Sequence, residues 1–398
     1  MKRKLAAIVT VALASATLAA CGGSDSDGAE SSAYNVVLVS GVTGALQSLT
    51  AGEIAGLKAA AKEINAGGGI DGRKIEITAL DSQGDPTKAV NVLQKAITDG
   101  KKIDLVYAGI ASAESQALLP VLTRNKLLSV ATTSSPLLND PKQFPYHFGL
   151  SPTAVDQIAQ LKTYVADNNV KTLAILTSND AFGKGSLDGA TGAVKDSGAK
   201  TVPVTYDPTQ VDLSVAWEKV KAAKPDAVYM DCLGAACAAL YRGRLTANAT
   251  DIPAVGGSGA SGTGGGPDEY SSAQAYAKST LLAQACLKYV APADRNKVQK
   301  AFFDGYSAEG GNPKTLAQPG MLAYDGLTLV ANAAKKAGSS KLEDLVKVLE
   351  SGESPGRDAF LTSELKYSSS SHFPGVTDGE YIFLPPGPIV DGGFKATS

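Results

Sequence analysis

Histidine is almost missing from this chain: there are two, His147 and His372, in 398 residues. They lie far apart in sequence and on no shared pattern, which disfavours a histidine-based metal site and a Ser-His-Asp triad. The signatures G-x-x-x-x-G-K-[ST] and G-x-S-x-G are both absent, so P-loop and nucleophile-elbow chemistries lose their sequence marks. Net charge is only −2, and no lysine/arginine cluster occurs beyond the first four residues, so nothing electrostatic points to nucleic acid. Beyond residue 20 there is no run of about 18 uncharged apolar residues of the kind that spans a bilayer.

What is present points to a folded, two-domain body. With 44% hydrophobic and 19% charged residues the chain is too apolar for disorder, and its length exceeds one ordinary core. The N-terminus has the form of an export signal: Lys2, Arg3 and Lys4, then an apolar run from Leu5 to Ala20 that is short for a membrane span. That run ends in Leu18-Ala19-Ala20-Cys21, which resembles the lipobox of bacterial lipoproteins, with Cys21 the residue to be lipidated. Residues 1–20 are therefore expected to be a lipoprotein signal peptide and 21–33 a flexible tether. The body would lie outside the cytoplasm, anchored to the outer face of the bacterial cell membrane. Removing residues 1–20 takes three of the 37 basic residues, leaving 34 against 39 acidic, a net of −5. Three cysteines remain: Cys232, Cys237 and Cys286. Proximity makes Cys232 and Cys237 the candidate disulfide, structural rather than redox-active.

Two stretches read as βαβαβ units. In the first, a strand over Asn35–Ser40 leads to a helix from Gly52 to Asn65 with Ile54, Leu57, Ala61 and Ile64 on one face, stopping at Gly67-Gly68-Gly69. A strand Lys74–Leu80, a helix from Pro86 to Thr98 and a strand Ile103–Tyr107 follow, with Pro86 suited to a first helical position. The second unit repeats the order: strand Thr172–Leu176, helix Lys184–Ser197, strand Lys200–Tyr206, helix Leu213–Ala223 and strand Ala227–Met230. Trp217, with Val211, Val215 and Val220 nearby, reads as core. Short apolar strands alternating with amphipathic helices predict an α/β fold of two Rossmann-like lobes with parallel sheets. Ligands of such sheets bind outside the carboxyl ends of the strands.

The glycine patterns Gly67-x-Gly69-x-x-Gly72 and Gly257-x-Gly259-x-x-Gly262 lack the strand-then-helix context of dinucleotide binding, and Thr263 to Pro267 cannot start a helix, so no cofactor is expected. The strand ends carry hydroxyls: Ser112 after Ile103–Tyr107, and Thr132, Thr133, Ser134 and Ser135 after a strand near Leu127–Val130. Such groups beside a helix N-terminus suit a carboxylate, though Ser112 could equally be an N-cap and Thr132–Ser135 a turn. Asp180 and Asp231 lie at strand ends of the second unit, where they could touch a ligand or cap the next helix. The role of Tyr324-Asp325-Gly326 is open on spacing alone.

Taken in order, several segments resemble the leucine/isoleucine/valine-binding protein family, the substrate-binding components of ABC importers with the type I periplasmic-binding fold. They are Asn65-Ala66-Gly67-Gly68-Gly69-Ile70-Asp71-Gly72-Arg73-Lys74, Asp81 to Ala89, Ala108 to Gln116, Ser134-Ser135-Pro136, Phe182 to Gly185, Ala222 to Val228 and Ala323 to Gly326. The resemblance implies lobes joined by three crossovers: 34–147 plus 288–355 as lobe one, 148–287 plus 356–398 as lobe two, closing on a ligand about a hinge. It implies that Ser112, Thr132 and Ser134 hold a carboxylate, and Thr133 beside them is a further candidate ligand-binding residue. The family's acidic partner for an α-ammonium falls near Ser258, its first-lobe aromatic on Leu49 and its second-lobe tyrosine on Leu233, three departures that weigh against a free amino acid. Asp180 or Asp231 could supply the missing charge, and Phe182 joins Leu49 and Leu233 at an apolar end. The expected role is capture of a small carboxylate or related polar solute for an ABC permease and ATPase. A ligand sensor of the same fold feeding a membrane signalling protein is the alternative. An enzyme is not expected, because neither histidine offers a serine a base, and no metal is expected.

Overall fold

The computed structural model describes residues 33–262 and 273–395. The signal-peptide and lipidation expectations, with most of the tether, fall outside these residues, as does Thr263–Pro267. Strands β1 (Ala33–Ser40), β2 (Lys74–Asp81), β3 (Leu105–Ala108), β4 (Ser129–Ala131) and β5 (His147–Gly149) form one all-parallel sheet in the order β2-β1-β3-β4-β5. Ala33, placed in the tether from sequence, pairs with Lys74 as the first residue of β1. Helices α1 (Gln47–Ala66), α2 (Pro86–Thr98) and α3 (Ser112–Arg124) make the crossovers. α1 starts five residues earlier than its apolar stripe suggests, because Leu49 and Thr50 are already buried against the lobe. Asp85 caps α2, its Oδ1 accepting from the Lys88 N–H at 2.8 Å, with Pro86 at the first helical position.

The second sheet holds β6 (Thr172–Ser178), β7 (Lys200–Tyr206), β8 (Ala227–Met230), β9 (Ala254–Gly256) and β10 (Ser279–Gln284), all parallel, with β11 (Tyr381–Leu384) antiparallel at one edge. The order is β11-β10-β9-β8-β6-β7. Its helices are α4 (Ala154–Gln157), α5 (Leu161–Asp167), α6 (Ala181–Val194), α7 (Ser214–Ala222), α8 (Ala235–Thr246) and α9 (Ser258–Gly262). Trp217 is fully buried under α8, its Nε1 donating to the Leu240 carbonyl at 2.8 Å, whereas Val211 and Val215 face outward.

The chain then returns to the first sheet. Helices α10 (Lys297–Ala308), α11 (Gln318–Ala337) and α12 (Leu342–Leu349) share one core with α1 and the inner face of β1 and β3. α1 and α11 cross at two glycines: a Cβ on Gly56 would lie 2.0 Å from the Gly320 carbonyl oxygen, so only a residue without one permits this approach. Asp325, fully buried, accepts from the Leu361 and Thr362 N–H groups and, at 2.7 Å, from the Thr362 hydroxyl. Burial pushes its carboxyl up to about 7 despite these donors.

This anchoring moves a boundary. The sequence reading sends the chain to lobe two from Gly356, but Leu365, Tyr367 and Phe373 pack in lobe one, and the Tyr367 hydroxyl donates to the Gly149 carbonyl at 2.9 Å. The crossing comes between Phe373 and Tyr381, and the first comes after Gly149, because β5 pairs with β4. The last hairpin, β12 (Ile389–Val390) with β13 (Gly393–Phe394), lies at the junction, Phe394 packing on Leu281, Leu287 and Leu316. The two histidines do meet: His372 Nδ1 lies 3.0 Å from the His147 carbonyl, and its Nε2 2.9 Å from Glu350. Burial lowers His147 to about 3, so it stays neutral beside Ser129 in the core. Among the described residues no helix is long and apolar enough to cross a membrane, and no group of three or more His, Cys, Asp or Glu could hold a metal.

Candidate functional site

The carboxyl ends of both parallel sheets face one another across a cavity of about 60 Å³. Five strands deliver its walls through the segments that follow them: Ile110 and Ser112 after β3, Thr132, Thr133 and Ser134 after β4, Phe182 after β6, Leu233 after β8, and Ser258 and Gly259 after β9. Ser151, just past β5, and Gln157, Gln318 and Leu322 complete the lining. Larger open grooves lie elsewhere: one of about 780 Å³ between the start of α10 and residues 358–364 and 377–380, and one of about 940 Å³ along α1, α10 and α11. Solute pockets commonly measure ~300–1,000 Å³. A solute of amino-acid size therefore requires the two walls to part.

The first wall is rich in unused hydrogen-bonding capacity. The Oγ of Ser112 and the Oγ1 atoms of Thr132 and Thr133 are buried with no partner among the described residues, as is the Oε1 of Gln157 from the facing lobe. Leaving a buried hydroxyl unmatched costs about 1–3 kcal/mol, so a row of them is informative. The N-cap of α3 is Ala111, whose N–H is met by Glu114 at 3.4 Å, so the Ser112 hydroxyl is not spent on capping. It stands in the first turn of a 13-residue helix, where the dipole and free N–H groups favour negative charge.

Among the described residues no ionisable side chain lines the cavity. Asp180 caps α6 instead, its Oδ1 accepting from the Gly183 N–H at 2.9 Å and the Ser178 hydroxyl at 2.6 Å. Asp231 is placed behind the wall: one oxygen accepts from the Cys232 N–H at 3.1 Å and the Ala260 N–H at 3.0 Å, the other from Ser186 at 2.7 Å. Burial raises its carboxyl to about 6, against those donors. It joins the loop after β8 to α9. Leu49 also stands outside the lining, in a small apolar cluster with Leu46, Ile110 and Leu233 at the mouth. Cys232 and Cys237 form a disulfide with Cα atoms 5.1 Å apart, flanking Leu233, and Cys286 is a free thiol.

The structure thus brings Ser112, Thr132, Thr133, Ser134, Phe182, Leu233 and Ser258 to one cavity and sets Leu49 and Asp231 in its second layer. Sequence reasoning missed Ile110, Ser151, Gln157, Gly259, Gln318 and Leu322 as lining residues. Ser151-Pro152 follows a strand of three residues that carries no alternation to detect, and Gln318 comes from a distant helix.

Comparisons with known proteins agree with this fold. A sequence profile of periplasmic binding proteins matches residues 33–373. A Leu/Ile/Val-binding protein homologue of Brucella melitensis is 28% identical over 52% of this chain, which spans 60% of that relative's length. The leucine-, isoleucine-, valine-, threonine- and alanine-binding protein of Pseudomonas aeruginosa is 22% identical over 79% of this chain and 81% of its own. A solute-binding protein of an ABC transporter from Rhodopseudomonas palustris, solved with 3,4-dihydroxybenzoic acid, shares the fold at a TM-score of 0.72 and 18% identity, covering 90% of this chain and 98% of that one. Two parallel-sheet lobes facing each other at their strand ends, joined by three crossovers and matched over nearly the whole described body, place this chain in the periplasmic binding protein family.

Proposed function

We propose that this chain is the solute-capturing component of an ABC importer, working outside the cytoplasm and tethered by a lipid on Cys21, and that its solute is a small carboxylate without an ammonium group. The carrying observation is the row of hydroxyls of Ser112, Thr132 and Thr133, unpartnered among the described residues, beside the start of α3 in a cavity that no described ionisable side chain lines. A carboxylate would accept from these hydroxyls and Ser134, each bond from a neutral donor to a charged group contributing about 1.5–3 kcal/mol. Phe182 and Leu233, backed by Leu49, would enclose a less polar end. An ammonium facing Ser258 would be buried without a counter-charge, at a cost of several kcal/mol. The palustris protein's aromatic acid has no amine either, whereas the aeruginosa relative is named for amino acids.

Calorimetry of the purified chain against leucine, 4-methyl-2-oxopentanoate and 3,4-dihydroxybenzoate tests the reading. Binding of an acid without an amine at micromolar strength, about −8 kcal/mol, supports it. Binding of leucine with none of the two amine-free acids overturns the solute class. Labelling cells with a clickable fatty acid tests the tether: label retained in Cys21→Ala refutes lipidation at that residue.

A further inference from the structure

The loop between β8 and α8 does two things at once. Leu233 lines the cavity and packs on Leu46, Leu49 and Ile110 of the opposite lobe. Two residues on, the Ala235 N–H donates across the cleft to the Ala45 carbonyl at 3.3 Å. Between them Gly234 has φ 57° and ψ −135°, a conformation that side-chain-bearing residues avoid, and a Cβ there would lie 2.9 Å from the Ala45 oxygen and 3.0 Å from Leu46 Cδ2. This short segment is therefore where the lobes touch at the mouth, and it contains the most permissive residue type at its centre.

The Cys232–Cys237 bridge closes around these four residues, Leu233 to Ala236. Both half-cystines are fully buried. At a separation of 5 the bridge removes little entropy from the unfolded chain, since that gain grows with loop length. Nor does it join distant elements: the Cys237 N–H already donates to the Gly234 carbonyl at 3.0 Å, and the Cys232 N–H is held by Asp231. What the bridge restricts is the range of shapes open to a glycine-centred loop.

We propose that the Cys232–Cys237 disulfide is a positioning element for cleft closure, holding Leu233 and Ala235 in the geometry that meets Ala45–Leu49 so that a captured solute is retained. The retention clause rests on the solute-binding reading above; the closure clause does not. A pre-organised lid lowers the ordering cost of the closed state, and its loss is expected mainly in the rate of release.

The test compares the full chain with C232A/C237A by hydrogen–deuterium exchange, with no solute added. Exchange in peptides covering 41–49 and 233–237 should rise by about fivefold or more in the double variant, while β6 and β8 keep their protection. Gly234→Ala, which leaves the bridge intact, should raise exchange at 41–49 in the same way, and adding it to C232A/C237A should add little, as expected for changes in one contact. With 4-methyl-2-oxopentanoate as probe, both variants should release it about tenfold faster. Unchanged exchange at 41–49 in C232A/C237A, with or without a lower melting temperature, overturns the proposal and leaves the bridge a staple within lobe two. If that variant does not fold, unchanged exchange at 41–49 in Gly234→Ala overturns it instead. Failure of the unaltered chain to bind the probe counts against the solute class alone, because the exchange measurements need no solute.

Discussion

Removing a hydroxyl from a protein interior ordinarily destabilises it, but Ser112 offers the opposite expectation. Its Oγ is buried and touches no donor or acceptor among the described residues, and the Thr132 Oγ1 in the same cavity is in the same condition. Ser112→Ala and Thr132→Val delete only the polar atom or replace it with a methyl of similar size. Each relieves a desolvation cost of about 1–3 kcal/mol in the solute-free protein, part of which cavity and solvent effects absorb, so stability should be unchanged or rise by about 1 kcal/mol. In a body of this size that is a melting shift on the order of 2 °C upward. Affinity should move the other way. If each hydroxyl donates to a carboxylate, losing it costs about 1.5–3 kcal/mol, a roughly 10- to 150-fold weaker Kd. Calorimetric melting and titration on the same preparations read both signs. A melting temperature several degrees lower would mean that the hydroxyl is tied within the protein. An affinity within twofold of the unaltered chain would mean that this wall does not meet the solute. Either result refutes the reasoning.

The buried acids predict a pH dependence. Burial lifts Glu53 to about 8, Asp325 to about 7 and Asp231 to about 6, so the folded chain keeps protons that the unfolded chain has released. Stability contributed by such groups is lost as pH rises through the folded values; buried His147, lowered to about 3, opposes this only below about 6.5. Melting temperature should therefore fall between pH 6.5 and 8, and a rise across that window would contradict the assignment. Asp325→Ala strands the N–H groups of Leu361 and Thr362 and should cost about 3 kcal/mol or more in urea unfolding; a loss below about 1 would show that the 361–362 segment is held by other contacts. Gly56→Ala forces α1 from α11 and should cost about 1–3 kcal/mol by the same measure, with no cost meaning that the helices can slide apart freely.

Strands were legible where periodicity had room to act. Lys200–Tyr206 and Ala227–Met230 stand where the sequence puts them, and α6 starts three residues early only because Asp180 caps it. The hydroxyl wall was legible through strand-end logic, but its ambiguity was not resolvable in one dimension. Whether Ser112 caps a helix or faces a cavity depends on which residue has extended backbone, and that residue is Ala111. Sequence leaves Asp231 open between touching a ligand and capping the next helix; its side chain turns back to α9, an orientation no spacing rule encodes. The late return to lobe two was hidden for a similar reason. Residues 360–373 are irregular, and what ties them to lobe one is tertiary: the Asp325 carboxylate, the Gly149 carbonyl, the His147 carbonyl and the packing of Leu365, Tyr367 and Phe373.

The shared core of α1 with α10 and α11 has a consequence for biogenesis. The Tyr324 hydroxyl meets Glu63 across 261 positions of sequence, and Tyr367 reaches Gly149 across 218. Lobe one therefore cannot bury its inner face until the last part of the chain has been made, long after its own strands have emerged. Contacts of such separation form slowly because loop closure precedes any packing gain. A chain built this way keeps lobe one incompletely packed for most of its synthesis, so discontinuous lobes postpone folding until the C-terminal third is available.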